Sequence, residues 1–200
     1  MAEDTYKTIC EPCNTVLRER SSKFLSYAYP VETEEQIKEH LATLRKKYYD
    51  ATHHCYAWRL GFRGEHSRAN DDGEPSSTAG KPILGQLLSF DVTNCLIVVI
   101  RYFGGTKLGV AGLIETYRES AAQVLSESQI EQRTIDRVFR VEFSYMAMNS
   151  VMKLVKEIEP RIIAQQFDNL CVMELAIREG DAELFLSKGG KIEGAIINEL

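Results

Sequence analysis

Between Asn70 and Pro82 the chain reads NDDGEPSSTAGKP, which gathers the carboxylates of Asp71, Asp72 and Glu74, the hydroxyls of Ser76, Ser77 and Thr78 and the amine of Lys81 in one short stretch. Carboxylates so closely spaced can accept hydrogen bonds from basic groups or hold a hard divalent cation. Further on, CLIVVIRYFGGTKLG runs from Cys95 to Gly109, an apolar strand ending in Arg101, Gly104, Gly105, Lys107 and Gly109, with Gly112 just beyond. Glycines at the start of a helix let backbone N–H groups approach an anion where the dipole favours negative charge, and Lys107 adds a point charge. No Gly-Lys-Ser/Thr closes the stretch and the G-x-G-x-x-G spacing is absent, so neither common nucleotide fingerprint applies. The plainer alternative is a tight strand-to-helix turn that needs glycine for its dihedrals alone.

Arg101 interrupts a buried run, and a buried arginine must reach solvent or a partner. Asp71, Asp72 and Glu74 are the candidate partners. In the structural reading the acidic loop folds across the glycine turn and is fixed by Arg101 and Lys81. In the functional reading the same charges face a common cleft lined by His53, His54, Asp71, Asp72, Glu74 and Thr78, and select a zwitterionic or phosphorylated ligand.

Other chemistries find less support. Ser76 to Thr78 with a histidine and an aspartate are the ingredients of a nucleophilic set, but no G-x-S-x-G elbow accompanies them, and such loop residues usually bond local backbone. The DDGEP run lacks EF-hand spacing; a Mg²⁺ or Mn²⁺ site is admissible by ligand type alone, and no metal is assigned. Cys10 and Cys13 form one Cys-x-x-Cys without a second pair, and Cys55, Cys95 and Cys171 sit in apolar runs as small hydrophobes. No cofactor is called for.

The elements that position these groups follow from periodicity. Residues 5–17 and 23–31 read as strands, and a helix follows with Thr33 and Gln36 as a capping box, Ile37, Leu41, Leu44 and Tyr48 as its apolar stripe and Arg45 to Lys47 at its negative end. Residues 53–62 alternate as a half-buried strand, 63–80 form a long loop, and a short helix opened by Pro82 turns Ile83, Leu84, Leu87 and Leu88 inward. The apolar run from Cys95 is a central strand covered on both faces. Val110, Leu113, Ile114, Tyr117, Ala121 and Leu125 mark one stripe of the next helix. From about residue 136 the pattern restarts as βαββαβ, so the expected domains are 1–130 and 136–200.

With 24 Lys and Arg against 29 Asp and Glu, the net charge of -5 argues against non-specific coating of nucleic acid. The longest aliphatic run, Leu96 to Ile100, is too short to cross a bilayer, and the acidic N-terminus lacks the character of a signal peptide. The expectation is a cytoplasmic protein without membrane contact.

The two opening stretches, together with Ser22-Lys23-Phe24, Ala51, His53 to Trp58, Leu108-Gly109, Gly112-Leu113 and Tyr117, resemble the YigZ/IMPACT family in the family's own order. The resemblance covers about residues 5–125, and the tail resembles the small domain of bacterial members. It implies an α+β chain: an N-terminal α/β domain similar to the second domain of a small-subunit ribosomal protein, a fold shared with the fourth domain of elongation factor G. A C-terminal ferredoxin-like domain, similar to that factor's fifth, would follow. It further implies regulation of translation, with RNA or the ribosome, or a protein partner in translation control, as the partner. Eukaryotic members carry an additional RWD domain for which these 200 residues leave no room, so their partner-competition mechanism is not carried over. Asn70 stands where the family usually has Ser, Ser77 where it has Gly, and Val110-Ala111 where bacterial members often have Thr-Gly. The function expected is therefore contact with RNA or a ribosomal surface, with Lys81, Arg101, Gly104, Gly105, Lys107, Gly109 and Gly112 as the anion-binding set. The alternative is a hydrolase or transferase acting on a phosphorylated or peptide-like small molecule, using His53 or His54 as acid/base and Asp71 with Asp72 as metal ligands.

Overall fold

A computed structural model describes residues 4–200. The chain divides into two compact units, Tyr6–Arg133 and Thr134–Leu200 with Asp4 and Thr5.

The larger unit is built on a five-stranded antiparallel sheet in the order β2-β3-β6-β4-β5, formed by β2 (Cys13–Glu19), β3 (Ser22–Pro30), β4 (His53–Leu60), β5 (His66–Asn70) and β6 (Cys95–Tyr102). A second, two-stranded sheet pairs β1 (Thr5–Ile9) with β7 (Ile130–Thr134). Central strand β6 is buried along almost its whole length, because helices cover both of its faces. On one side α2 (Gly80–Ser89) and α3 (Gly109–Glu127) pack Ile83, Leu87, Leu113, Tyr117 and Leu125 onto Phe24, Ala57, Ile97 and Val99. On the other, α1 (Glu34–Lys47) packs Ile37 and Leu44 onto Leu25, Tyr56, Trp58, Leu96 and Val98. The start of α1 follows its sequence signature: Thr33 Oγ1 accepts from Gln36 N at 3.3 Å, and the Gln36 side chain accepts from Glu32 N at 2.7 Å.

Several expectations are corrected. The first strand is two, divided at Cys10–Pro12, just after the Cys10 amide bonds Gln129 O beside β7. Strand β4 is buried on both faces rather than one, and Phe62 lies beyond it, 44% exposed. The stretch 63–80 is not wholly loop, since β5 pairs His66 to Asn70 with β4. Leu88 and Val110 face solvent although both fit the apolar stripes of their helices.

The smaller unit runs β8 (Asp136–Phe143), α4 (Met148–Ile158), β9 (Arg161–Phe167), β10 (Cys171–Arg178), α5 (Glu179–Gly189) and β11 (Ala195–Glu199). Its sheet order is β11-β8-β10-β9 with every neighbour antiparallel. Phe139, Phe143, Met173 and Leu175 meet Val151, Leu154 and Phe185 of the two helices in a separate core. Helix α4 ends at Glu159, which adopts a left-handed conformation (φ 51°), one residue before Pro160. Among the described residues no helix is long and apolar enough to cross a membrane.

Candidate functional site

The two motif stretches meet at one end of the five-stranded sheet, where β4 begins and β6 ends in antiparallel register, His53 opposite Arg101. The acidic loop lies across this end, and each of its carboxylates is engaged internally.

Asp71 serves the start of α2, a helix with no side-chain cap at its own N-cap residue. Its carboxylate accepts from the amides of Ser77 (2.8 Å), Ala79 (3.0 Å) and Gly80 (2.8 Å). Burial pushes the Asp71 carboxyl up, but these three amides, helped by Lys81, outweigh it and hold the group below the usual carboxylate range. The amides converge because Ser77 takes a left-handed conformation (φ 66°), a backbone shape that glycine adopts most readily. Gly80 is required by contact: a Cβ there would lie 2.6 Å from Asn70 N.

Asp72, also left-handed (φ 43°), turns the other way. Its carboxylate accepts from Arg45 Nη2 at 2.8 Å and from the His54 amide at 2.6 Å, and its carbonyl oxygen accepts from His53 Nδ1 at 2.8 Å. Arg45, read from sequence as a helix terminus only, is thus the tether between α1 and the acidic loop.

Glu74 is the buried member. Its Oε1 accepts from Arg101 Nη1 at 2.6 Å and from the Tyr117 hydroxyl at 2.9 Å, while His53 Nε2 stands 3.8 Å away. The side chains of Glu74 and Arg101 are 3% and 6% exposed. The guanidinium also reaches Ser22 Oγ at 3.4 Å and lies over the rings of Phe24 and Phe103. Beneath them the Cys55 thiol donates to Asp71 O at 3.0 Å, and its sulfur lies 3.3 Å from the Tyr117 hydroxyl. Burial pushes the Cys55 thiol and the Tyr117 hydroxyl up, so both remain protonated donors.

The structure therefore gathers Asp71, Glu74, His53 and Arg101 into one network and separates others from it. His54 points to the opposite face, under α1, where it is 7% exposed and burial lowers its pKa. Thr78 is buried and donates to Pro75 O at 2.7 Å, so it lines no cleft. Asp71 and Asp72 diverge, and among the described residues no three His, Cys, Asp or Glu side chains converge as a metal site. Lys81 is exposed and does not fasten the loop to the glycine turn.

The glycine turn has the opposite character. Residues 103–107 are exposed, and among the described residues the amides of 105–108 have no hydrogen-bond partner. Gly105 and Gly109 take positive φ (86° and 74°) with open space where a Cβ would be. Helix α3 begins with neither a side-chain cap nor an acidic residue in its first turn, and Lys107 makes no ion pair among the described residues. Gly104 is different: its amide is held by Ser22 Oγ at 3.3 Å, and a Cβ would sit 2.0 Å from Ser21 O. Gly112 lies a turn inside α3, where a Cβ would meet Leu108 Cβ at 3.2 Å, so it serves helix packing.

Sequence reasoning missed the basic surroundings of this turn. Arg18, Arg20 and Lys23 on the β2–β3 hairpin lie at the same end of the sheet, with Gly104 packed on the hairpin's turn. The signal was available only through strand register, which places Lys23 opposite Tyr102.

Comparisons with known proteins identify the family. Residues 20–125, which hold both motif stretches and the elements carrying them, match the Impact N-terminal domain. The chain is 33% identical to the IMPACT family member YvyE of Bacillus subtilis over 76% of its own length and 70% of that protein's. It is 28% identical to the IMPACT family member YigZ of Escherichia coli over 88% of each. The crystal structure of a hypothetical protein superposes over 98% of both chains with a TM-score of 0.72 at 25% identity. The buried Glu74–Arg101 network and the glycine turn beside it are thus features of a member of the IMPACT family, to which this chain belongs.

Proposed function

We propose that this protein is a cytoplasmic, translation-linked binding protein that contacts RNA on the ribosome through the 103–111 turn. The observation that carries the reading is the contrast between neighbouring stretches: the acidic loop's carboxylates are all bonded within the protein, while the adjacent turn presents unpartnered amides, an unpaired Lys107 and an uncapped helix. Such a turn suits phosphate, because backbone donors and the helix dipole act together on an anion. The acidic loop is a buttress in this reading, and Arg101 acts through Glu74 rather than on a ligand. The anion-binding groups reduce to the amides of 105–108 with Lys107, flanked by Arg18, Arg20 and Lys23.

The organisation of the chain supports the same reading. Its two units follow the order of the elongation-factor domains that the family resemblance suggests, and the βαββαβ order of the smaller one suits a ferredoxin-like assignment. Fold analogy sets the class of partner, and the exposed turn supplies the contact. With a net charge of -5 the contact is local and sensitive to salt.

Co-sedimentation with ribosomes across a salt series tests it. The protein is expected in the ribosomal pellet at low ionic strength and increasingly in the supernatant as salt rises, with Lys107→Glu shifting the midpoint to lower salt. Failure of the wild-type chain to pellet at any ionic strength would refute the proposal.

A further inference from the structure

Both edges of the large sheet carry charge within the strand, Arg18 and Glu19 on β2 and Arg68 on β5. Such charges keep a row of unpaired backbone groups from capturing another strand. Strand β9, an edge of the smaller sheet, departs from this pattern. It reads RIIAQQF, all seven residues are exposed, and its one charge is Arg161 at the start. Ile162, Ile163 and Phe167 are 44%, 45% and 45% exposed. Ile163 lacks a partner even on β10, because the ladder passes from Glu174–Ala164 directly to Leu175–Ile162. The bulge is confined to that end, and residues 164–167 pair regularly.

The charges that flank the strand indicate what covers it. Arg161 opens it and Asp168 follows it, and both are exposed. Arg161 lies 3.5 Å from Asp136, while Asp168 accepts from the uncharged Gln166 side chain at 2.6 Å. A cation at the beginning and an anion at the end are complemented by an antiparallel copy of the same segment, and a two-fold axis makes the match twice. The apolar residues match in the same register. With Gln165 on the axis, Ile163 of each copy faces Phe167 of the other, Ala164 faces Gln166, and Arg161 comes beside Asp168. Phe167 and Gln165 lie opposite Cys171 and Met173, which are buried on the helix-covered face, and Ile163 shares that face by alternation. Pairs of an aromatic with a β-branched residue, and of opposite charges, both stabilise antiparallel strands. Centring the pair on Ala164 instead would set both isoleucines against glutamines.

We infer that β9 is a self-association edge: two copies of this chain pair their β9 strands antiparallel about a two-fold axis at Gln165, joining their smaller sheets into one. The contact belongs to the smaller unit, whereas the 103–111 turn belongs to the larger, so the two are tested separately.

Sedimentation equilibrium of the full chain tests the inference. The weight-average mass is expected to rise from 22.7 kDa toward twice that value as concentration increases. Ile163→Lys, which puts a charge on the exposed edge, is expected to hold it at the single-chain value. Arg161→Asp and Asp168→Arg are each expected to be monomeric, because like charges then meet at both ends. Mixing these two variants restores opposite charges at both contacts, and a heterodimer is expected to appear. In Gln165→Cys the two Cα atoms would lie about 4.5–5.5 Å apart across the axis, within reach of a disulfide. Mild oxidation is expected to link copies of that variant beyond any linkage seen in the wild type, but not copies of Ala164→Cys, where residue 164 faces Gln166. Far-UV circular dichroism checks that each variant is folded. A wild-type chain that stays single up to about 1 mM, a folded Ile163→Lys variant that associates like wild type, charge variants that fail to complement on mixing, or linkage through residue 164 in place of 165 would each overturn the inference.

Discussion

Replacing Glu74 by glutamine is expected to destabilise the larger unit by about 3–5 kcal/mol, the usual result of stranding one member of a buried ion pair. The substitution changes almost no volume, so the loss measures charge rather than packing. Arg101 would remain 5% exposed as a residue, its Nη1 facing a neutral amide, with its Nε already unpartnered in the native structure. A loss of this size is a large part of the ~5–15 kcal/mol that ordinarily holds a domain together. The single tryptophan, Trp58, is buried in this unit, so urea unfolding followed by its fluorescence reports the relevant transition. Pairing Glu74→Leu with Arg101→Met should recover much of the loss, because an apolar pair of similar volume leaves no stranded charge. A Glu74→Gln variant within about 1 kcal/mol of wild type would mean that Arg101 reaches water and that the buttress assignment is wrong.

Gly104→Ala is expected to cost about 3 kcal/mol, at the upper end of what overpacking does. The added Cβ would lie 2.0 Å from Ser21 O, 2.1 Å from Ser21 C and 2.6 Å from Ser22 N, all backbone atoms that no side-chain rotation can clear. Relief requires moving the β2–β3 turn, whose Arg20 and Ser21 already sit at positive φ (43° and 69°), or breaking the Gly104 N to Ser22 Oγ bond. Gly105→Ala is the contrasting case. Its Cβ meets nothing within 4 Å, and the penalty is that of a left-handed alanine, about 1–2 kcal/mol. The same unfolding measurement decides between them: equal losses at the two positions would show that the glycines serve dihedral freedom alone, as the plainer reading of the turn supposes.

The parts of this arrangement legible in the sequence are those fixed by local pattern. The all-apolar run ending at Arg101 announces a strand covered on both faces, and the Leu113, Tyr117, Ala121 and Leu125 spacing announces the helix after the glycines. Strand β5 escaped because HSRAN is an exposed edge strand with no apolar alternation, held only by its pairing with β4. The break at Cys10–Pro12 escaped because strand-like residues flank it on both sides. Leu88 and Val110 fit helical stripes, yet tertiary packing leaves them outside. The site was half legible. That Arg101 needs an acidic partner follows from burial, but choosing Glu74 over Asp71 and Asp72 requires the loop's path. Two left-handed residues, Asp72 and Ser77, aim the three carboxylates in three directions, and non-glycine residues do not advertise that conformation. The Arg45–Asp72 tether spans 27 positions, beyond any local signal.

Amide hydrogen exchange with and without ribosomes, at the low ionic strength where the two associate, tests the central claim most directly. The account predicts that exchange slows at the amides of 105–108, which among the described residues have no internal partner to protect them, while the 70–82 loop, already bonded within the protein, is unchanged. Unchanged exchange across 105–108 in the associated protein, with protection arising elsewhere, would contradict it.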